Sequence, residues 1–323
     1  MDEGELITLS SRIGYPHAGR TLIDFLCGRF RYHCREEWEH AVREGSVRVN
    51  GEMTTPCRVL KKGDVVSYQT ILREPPVDGA IRVIHEEESF LIADKPGNLP
   101  SHADGNFITH TFIFIIKRMM AHAGYRGPLK LAHRLDRETS GLMLVAKNLD
   151  AHRRLMRQFS EGVVEKEYLA IARGLITQDE FRVHGGMIRD PASRISVRRI
   201  VVPEGTPGSK PAATRFRVIE RLNGFTLLCC VPETGRTNQI RAHLAHAGYP
   251  LAGDKLYGRS DEEFLAFVGR VRAGDFSPPP WLEAPRHLLH ASRLSFHHPV
   301  TGERVAFKSP LPEDMRSFIE AHR

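Results

Sequence analysis

Apolar positions recur every three or four residues at two places near the start of the chain. Leu22, Phe25 and Leu26 form one set and Trp38, Ala41 and Val42 the other, which predicts two short amphipathic helices. Gly45 ends the second. The period then drops to two: Ser46-Val47-Arg48-Val49 runs into Asn50-Gly51, a strong hairpin signal, and Val65-Val66-Ser67-Tyr68 follows the turn at Lys62-Gly63-Asp64 as a further strand. Residues 1–17 carry no comparable pattern and read as a loose N-terminal extension.

Glu74-Pro75-Pro76-Val77-Asp78-Gly79 interrupts all periodicity and reads as a linker, taken as residues 75–80. It separates a small αβ unit over 18–74 from a large domain over 81–323. In the large domain, apolar runs predict strands at 81–84, 90–93, 142–146, 167–172, 214–219 and 226–231. Helical spacing predicts helices at 109–122, 150–161 (with Asn148 as a possible N-cap) and 239–247. Strands and helices interleave without regular βαβ order, so the expected class is α+β with a mixed sheet. The Gly- and Pro-containing stretch 185–211 reads either as a solvated loop or as a basic track through Arg194, Arg198, Arg199 and Lys210.

The chain has 323 residues, 41% of them apolar, enough to bury a proper core. A net charge of +7 is compatible with a polyanionic partner without requiring one. Five cysteines with no C-x-x-C pair, two of them adjacent at Cys229-Cys230 in an apolar run, suit a reduced interior strand better than disulfides or zinc. The acidic, polar opening MDEGELITLS is unlike a signal peptide, and no apolar run is long enough for a membrane span. A cytoplasmic enzyme or binding protein, with no membrane partner, is the expectation.

Phosphate-loop and dinucleotide fingerprints are missing. The seventeen histidines, His243 and His246 among them, fall into no metal-ligand pattern, so no metal is expected. His133-Arg134-Leu135-Asp136 differs from a kinase catalytic loop by an inserted leucine and lacks a glycine-rich loop upstream. The same segment is nonetheless the most informative in the chain. A dense polar cluster, His133 through Ser140, immediately precedes the apolar run Leu142-Met143-Leu144-Val145-Ala146, placing Asp136 on a loop anchored by a rigid strand.

H-R-L-D-R-E-T-S-G-L, residues 133–142, resembles the catalytic motif of the RluA-type pseudouridine synthases. Three further segments agree in order: Asp94-Lys95-Pro96-Gly97-Asn98-Leu99-Pro100, Glu165-Lys166-Glu167-Tyr168, and Gly235-Arg236-Thr237-Asn238-Gln239-Ile240-Arg241 continuing to Gly253-Asp254-Lys255-Leu256-Tyr257-Gly258. The likeness spans residues 80–310 and implies the mainly antiparallel sheet of that catalytic domain. V-R-E-G-S-V-R-V-N-G followed by V-L-K-K-G-D-V-V also resembles the small RNA-binding domain of ribosomal protein S-four. That unit carries ten Lys/Arg against seven Asp/Glu from Gly19 to Arg73, so RNA binding there would need Arg31, Arg35, Arg43, Lys61 and Lys62 on one face.

The resemblance implies an isomerase that breaks the ribose–N1 bond of a uridine, turns the base and rejoins it through carbon. Substrate and product are isomers, so no cofactor is implied. A carboxylate suits this chemistry as nucleophile at the sugar or as base toward the ribose, and both routes need Asp136 ionised. The implied catalytic residues are Asp136, Tyr168 against the uracil face, and Arg241, whose opposite charge would favour the ionised carboxylate. Arg134 resembles the family arginine that enters the space a flipped base leaves. The further implied RNA contacts are Lys95, Arg137, Arg236 and Asn238, with Arg35, Lys61 and Lys62 in the small domain. Two positions depart from the family pattern: Asn238 stands where a histidine is usual, and Gly97-Asn98-Leu99 replaces Ala-Gly-Leu, where an Asn tolerates positive φ.

Ribosomal RNA of the large subunit is the favoured substrate, with transfer RNA the alternative and a monomer the expected state. Two rival readings stand beside this one. A non-catalytic ribosome assembly factor would bind RNA without needing Asp136. A nucleoside glycosidase would need a second carboxylate, for which Glu138 is the nearest candidate.

Overall fold

The computed structural model describes residues 5–30, 33–72, 74–103 and 107–323. The chain divides into two compact units, residues 1–74 and 75–323.

In the first unit, β1 (Glu5–Arg12), β2 (Val47–Val49), β3 (Glu52–Met53) and β4 (Val65–Leu72) form an antiparallel sheet in the order β1-β4-β2-β3. Helices α1 (Leu22–Arg29) and α2 (Arg35–Arg43) supply Leu22, Phe25, Leu26, Trp38 and Val42 to a core shared with Val47, Val49, Val66 and Tyr68. Thr21 caps α1 by accepting from the Asp24 N–H. The β2–β3 turn has Asn50 at φ 55° and Gly51 at φ 85°, the two positive values a type I′ turn requires. The Asn50 side chain also accepts from Val65 N–H at 2.8 Å, tying the turn to β4.

Residues 5–12 correct the expectation of a loose extension over 1–17. They pair along all of β4, from Glu5 opposite Leu72 to Arg12 opposite Val65. The cause lies outside the segment: β4 would otherwise present a row of unpaired backbone groups, and β1 closes that edge.

The second unit is built on a sheet of eleven strands among the described residues. They are β5 (Arg82–Glu86), β6 (Phe90–Lys95), β7 (Lys130–Leu131), β8 (Ser140–Ala146), β9 (Glu165–Arg173), β10 (Glu180–Arg189), β11 (Arg199–Val202), β12 (Lys210–Arg221), β13 (Phe225–Pro232), β14 (Leu289–His297) and β15 (Arg304–Lys308). The path runs β11-β10-β12-β13-β9-β14-β8-β6-β5, with β15 on β14 and β7 on β8. One pairing is parallel, β14 with β8 at His290–Ser140 and Ala291–Gly141; the others are antiparallel, so the fold is α+β with a mixed, mainly antiparallel sheet.

Helices cover both faces. The apolar run of β8 is buried throughout because its alternate residues meet different helices. Met143 and Val145 face α3 (Phe112–His122) through Phe112, Ile116 and Met120. Leu142, Leu144 and Ala146 face α4 (Leu149–Glu161) through Ala151 and Leu155. Asn148 caps α4, accepting from the Ala151 N–H at 2.8 Å. At the other half of the sheet, α5 (Gln239–His246) packs Ile240 and Leu244 over Ala170, Leu228 and Cys230. On the opposite face α7 (Glu313–Ala321) packs Met315, Phe318 and Ile319 over Ile171 and Leu227; α6 (Asp261–Arg272) lies between α5 and β14 in the chain.

Stretch 185–211 is not a free loop, although Arg194 and Lys210 are exposed on it. It holds the end of β10, all of β11 and the start of β12, and Arg198 is spent on the carbonyls of Leu256 and Arg259. All five cysteines are free thiols, with Cys229 and Cys230 buried in β13.

Candidate active site

Four neighbouring strands carry Gly141, Ala291, Tyr168 and Cys230 in one cross-sheet row, from β8 through β14 and β9 to β13. The row requires its first member to be glycine. Gly141 has φ 112°, and a Cβ there would lie 2.3 Å from the Ala291 carbonyl oxygen. Asp136 sits five residues upstream, on the loop between β7 and β8. The sheet thereby brings the Asp136 loop and Tyr168 to the same region.

The loop is held from several sides. Ser101 Oγ donates to the Leu135 carbonyl at 2.7 Å and accepts from the Leu135 N–H at 3.1 Å. His133 stacks on Phe159 and its Nε2 accepts the Leu144 N–H at 3.1 Å, which requires a neutral ring. Burial, aided by Lys166, pushes the His133 pKa down to about 3. Lys95, implied as an RNA contact, is interior instead: it is 0% exposed and donates to the carbonyls of Pro96, Leu99 and Arg137. Burial brings its pKa down to about 7. The correction follows from chain geometry, since a lysine ending a buried strand satisfies the carbonyls of the loops around it.

Arg241, near the start of α5, joins the loop to the rest of the domain. Its Nη1 lies 3.1 Å from Asp136 Oδ2 and 3.1 Å from Asn238 Oδ1. Its Nε and Nη2 meet both oxygens of Asp254 at 2.7 and 2.9 Å, a bidentate pair. Asp254 is fully buried and its Oδ1 also accepts the N–H groups of Leu256 and Tyr257 at 2.8 and 2.9 Å. Burial opposes charge on both partners, but each outweighs it for the other: Asp254 and Asp136 raise the Arg241 pKa, and Arg241 lowers that of Asp254. The Tyr257 ring lies against the guanidinium at 5.3 Å. Asp136 keeps 34% of its side chain exposed and Arg241 11%, so the carboxylate opens outward from a buried cation.

Tyr168 is half-buried between the clusters under α3 and α5. Burial, reinforced by the Asp136 charge, pushes its phenol upward, so the hydroxyl keeps its proton at neutral pH. Asn238 adopts φ 57° at the entrance to α5, a conformation Asn takes more readily than most residues, and it orients Arg241. Asn98 likewise sits at φ 58°, so the turn of the opening motif survives its substitution.

The remaining implied contacts are dispersed. Arg134 is exposed on the Asp136 loop. Arg137 is directed at Asn98 Oδ1, at 2.6 and 2.8 Å, and lies over Phe107. Arg236 is exposed and donates to the Pro211 carbonyl at 3.0 Å. In the first unit Arg35 pairs with Asp24 at 2.6 Å, Lys62 lies 3.7 Å from the Tyr15 ring centre, and Lys61 is exposed. Arg31 lies outside the described residues. Glu138 meets Lys255 Nζ at 2.5 Å and accepts the His287 N–H at 3.2 Å, so it is a structural anion.

Sequence reasoning gave Asp254 no role, although it stands in the third motif. Nothing local marks it, since Lys255 stands beside it in the chain while its partner, Arg241, is thirteen residues away. Among the described residues no group of three or more His, Cys, Asp or Glu is placed to hold a metal ion, and no helix is long and apolar enough to cross a membrane.

A mainly antiparallel sheet that sets a part-exposed, arginine-held aspartate within electrostatic reach of a protonated tyrosine fits an enzyme of the pseudouridine synthase class. The RNA pseudouridylate synthase family model matches residues 89–246. The chain is 35% identical over 299 residues to the uncharacterized RNA pseudouridine synthase YlyB of Bacillus subtilis, covering 88% of each chain. It is 32% identical over 324 residues to ribosomal large subunit pseudouridine synthase D of Haemophilus ducreyi, covering 98% of this chain and 94% of that one. Human RNA pseudouridylate synthase domain containing 1 shares the fold, with a TM-score of 0.56 at 24% identity over 77% of this chain and 96% of that one. The chain belongs to the RNA pseudouridylate synthase family and is an RNA pseudouridine synthase of the RluA type, an isomerase.

Proposed function

We propose that this enzyme isomerises a uridine of large-subunit ribosomal RNA, with Asp136 as the essential carboxylate. The observation that carries the assignment of Asp136 is its single contact with Arg241, itself clamped by buried Asp254, while the carboxylate stays a third exposed. A target uridine is flipped out of its helix and its ribose meets Asp136; Arg134, exposed two residues earlier, takes up the vacated space. The N1–C1′ bond breaks, the base turns against the Tyr168 ring, and a C5–C1′ bond forms. The C5 proton leaves and N1 gains one, so composition is conserved. Asp136 acts either by bonding C1′ or by taking a ribose proton, and Arg241 supplies its counter-charge in both routes.

Ribosomal RNA is favoured because relatives such as the Haemophilus ducreyi protein are named ribosomal large subunit synthases. The small N-terminal unit is read as an S-four-like RNA-binding domain using Lys61, Lys62 and Arg35. The protein acts in the cytoplasm as a monomer. Pseudouridine mapping of total RNA from cells with and without the gene tests the substrate: a large-subunit site that disappears supports it, and a transfer RNA site replaces it. Tritium release from C5 of labelled RNA without loss of base supports isomerisation, whereas free uracil would mean glycosidase chemistry. Isomerisation retained by Asp136→Ala would point to another catalytic group, whereas ribosome assembly supported by Asp136→Ala without isomerisation would favour a non-catalytic assembly factor.

A further inference from the structure

Between residues 98 and 135 the chain carries Lys117, Arg118, Arg126, Lys130 and Arg134 against a single acidic residue, Asp104, which lies outside the described residues. The fold gathers much of this excess into one groove between α3 and β7. Lys117, on α3, lines an open groove of about 430 Å³ together with Arg126 and Lys130 from the connection to β7, and no carboxylate lines it. Toward Asp136 the same surface continues through His102. Burial lowers the pKa of His102, and the charges of Arg134 and Lys117 lower it further, so each of the two cations lies within electrostatic reach of His102.

Lys117, Lys130 and Arg134 are exposed, and none has an ion-pair or side-chain hydrogen-bond partner among the described residues. Some exposed arginines elsewhere on the same domain are paired instead. On α4, exposed Arg153 and Arg157 are each neutralised in place, by Asp150 and Glu161 at 2.9 and 2.7 Å. Like charges left unpaired and adjacent repel one another, and an external polyanion is what turns that repulsion into binding. The strip also starts in the right place. Arg134 stands two residues before the carboxylate that must meet a ribose, so an RNA strand leaving the site on this side has to cross it.

We infer that the strip from Arg134 through His102 and Lys117 to Arg126 and Lys130 seats the phosphate backbone on one side of the flipped uridine. This rests on the RNA-isomerase reading of the same site and adds where the flanking strand runs. The contacts are to phosphate, so they set affinity and register without reading base sequence.

The test is the double variant Lys117→Ala/Lys130→Ala, compared with wild type and with Arg153→Ala/Arg157→Ala. A large-subunit ribosomal RNA transcript is the probe, titrated between about 50 and 200 mM salt. Each phosphate contact contributes about 0.7–0.9 to the slope of log K against log salt, so the strip variant is expected to lose about 1.5 from it. Its Kd and KM rise roughly tenfold while kcat at saturating RNA is kept; the α4 variant keeps the wild-type slope. Unchanged Tm in both variants shows that folding is intact. A strip variant with wild-type slope and Kd overturns the inference. A wild type that binds the transcript but forms no pseudouridine refutes the catalytic reading instead, and the slopes still decide the strip.

Discussion

Arg241 holds two carboxylates on one guanidinium, and removing them has opposite consequences. Asp254 is fully buried, contacts Arg241 twice and accepts two backbone N–H groups. Asp254→Ala strands a buried guanidinium away from water without its main counter-charge, which costs about 3–5 kcal/mol. For a unit of this size that lowers Tm by roughly 10 °C. Asp136 makes a single contact at 3.1 Å and is 34% exposed, and Arg241 keeps Asp254 when it is gone. Asp136→Ala is therefore expected to cost about 1 kcal/mol or less. Activity is expected to run the other way: on the proposed mechanism Asp136→Ala abolishes isomerisation, while Asp254→Ala leaves a residual rate limited by a loosened arginine. Urea unfolding of the large unit gives the stabilities, and tritium release from C5-labelled RNA gives the rates. Equal destabilisation by the two variants, or retained activity in Asp136→Ala, would show that the outward carboxylate is merely structural.

Tyr168→Phe keeps the ring that packs under α3 and α5, so stability should change by less than about 1 kcal/mol; if the hydroxyl moves the C5 proton, kcat falls about 10²-fold with KM kept, and an unchanged kcat assigns the role to the ring alone. Gly141→Ala places a methyl 2.3 Å from a backbone oxygen at φ 112°, and should cost more than about 4 kcal/mol or prevent folding, as read by soluble yield and Tm. His133 has its folded pKa depressed to about 3 from an ordinary value near 6.5. The unfolded chain thus binds the extra proton first, and stability from this group is present above about pH 6.5 and lost as pH falls toward 3, by at most about 1.4 kcal/mol per pH unit. His133→Gln, which can still accept the Leu144 N–H, should flatten urea-derived stability between pH 6.5 and 4; an unchanged slope assigns it to other groups.

What could be read from residues alone was what short stretches of chain decide. The apolar spacing of Trp38, Ala41 and Val42, the Asn50-Gly51 turn, the Asn148 cap and the unbroken run of β8 each act within a few residues, and each recurs in the fold. The segment His133 to Leu142 was legible as a unit for the same reason, since it is contiguous in the chain. α6 also had a local signal, a capping box from Ser260 to Glu263, that was passed over. The buried strand β14 was hidden by His290, Ser292 and Arg293, polar residues whose partners come from other parts of the chain.

The remainder was decided only by tertiary structure. β1 is a strand because β4 offers it an edge some sixty residues away. Lys95 is interior because three carbonyls converge on it, and Asp254 matters because α5 turns Arg241 toward it. Pairings of this kind depend on where distant backbone and charge come to rest, a consequence of burying the whole apolar surface at once. No window of sequence contains that information, because the desolvation which makes a buried charge seek its partner exists only after the chain has closed around both.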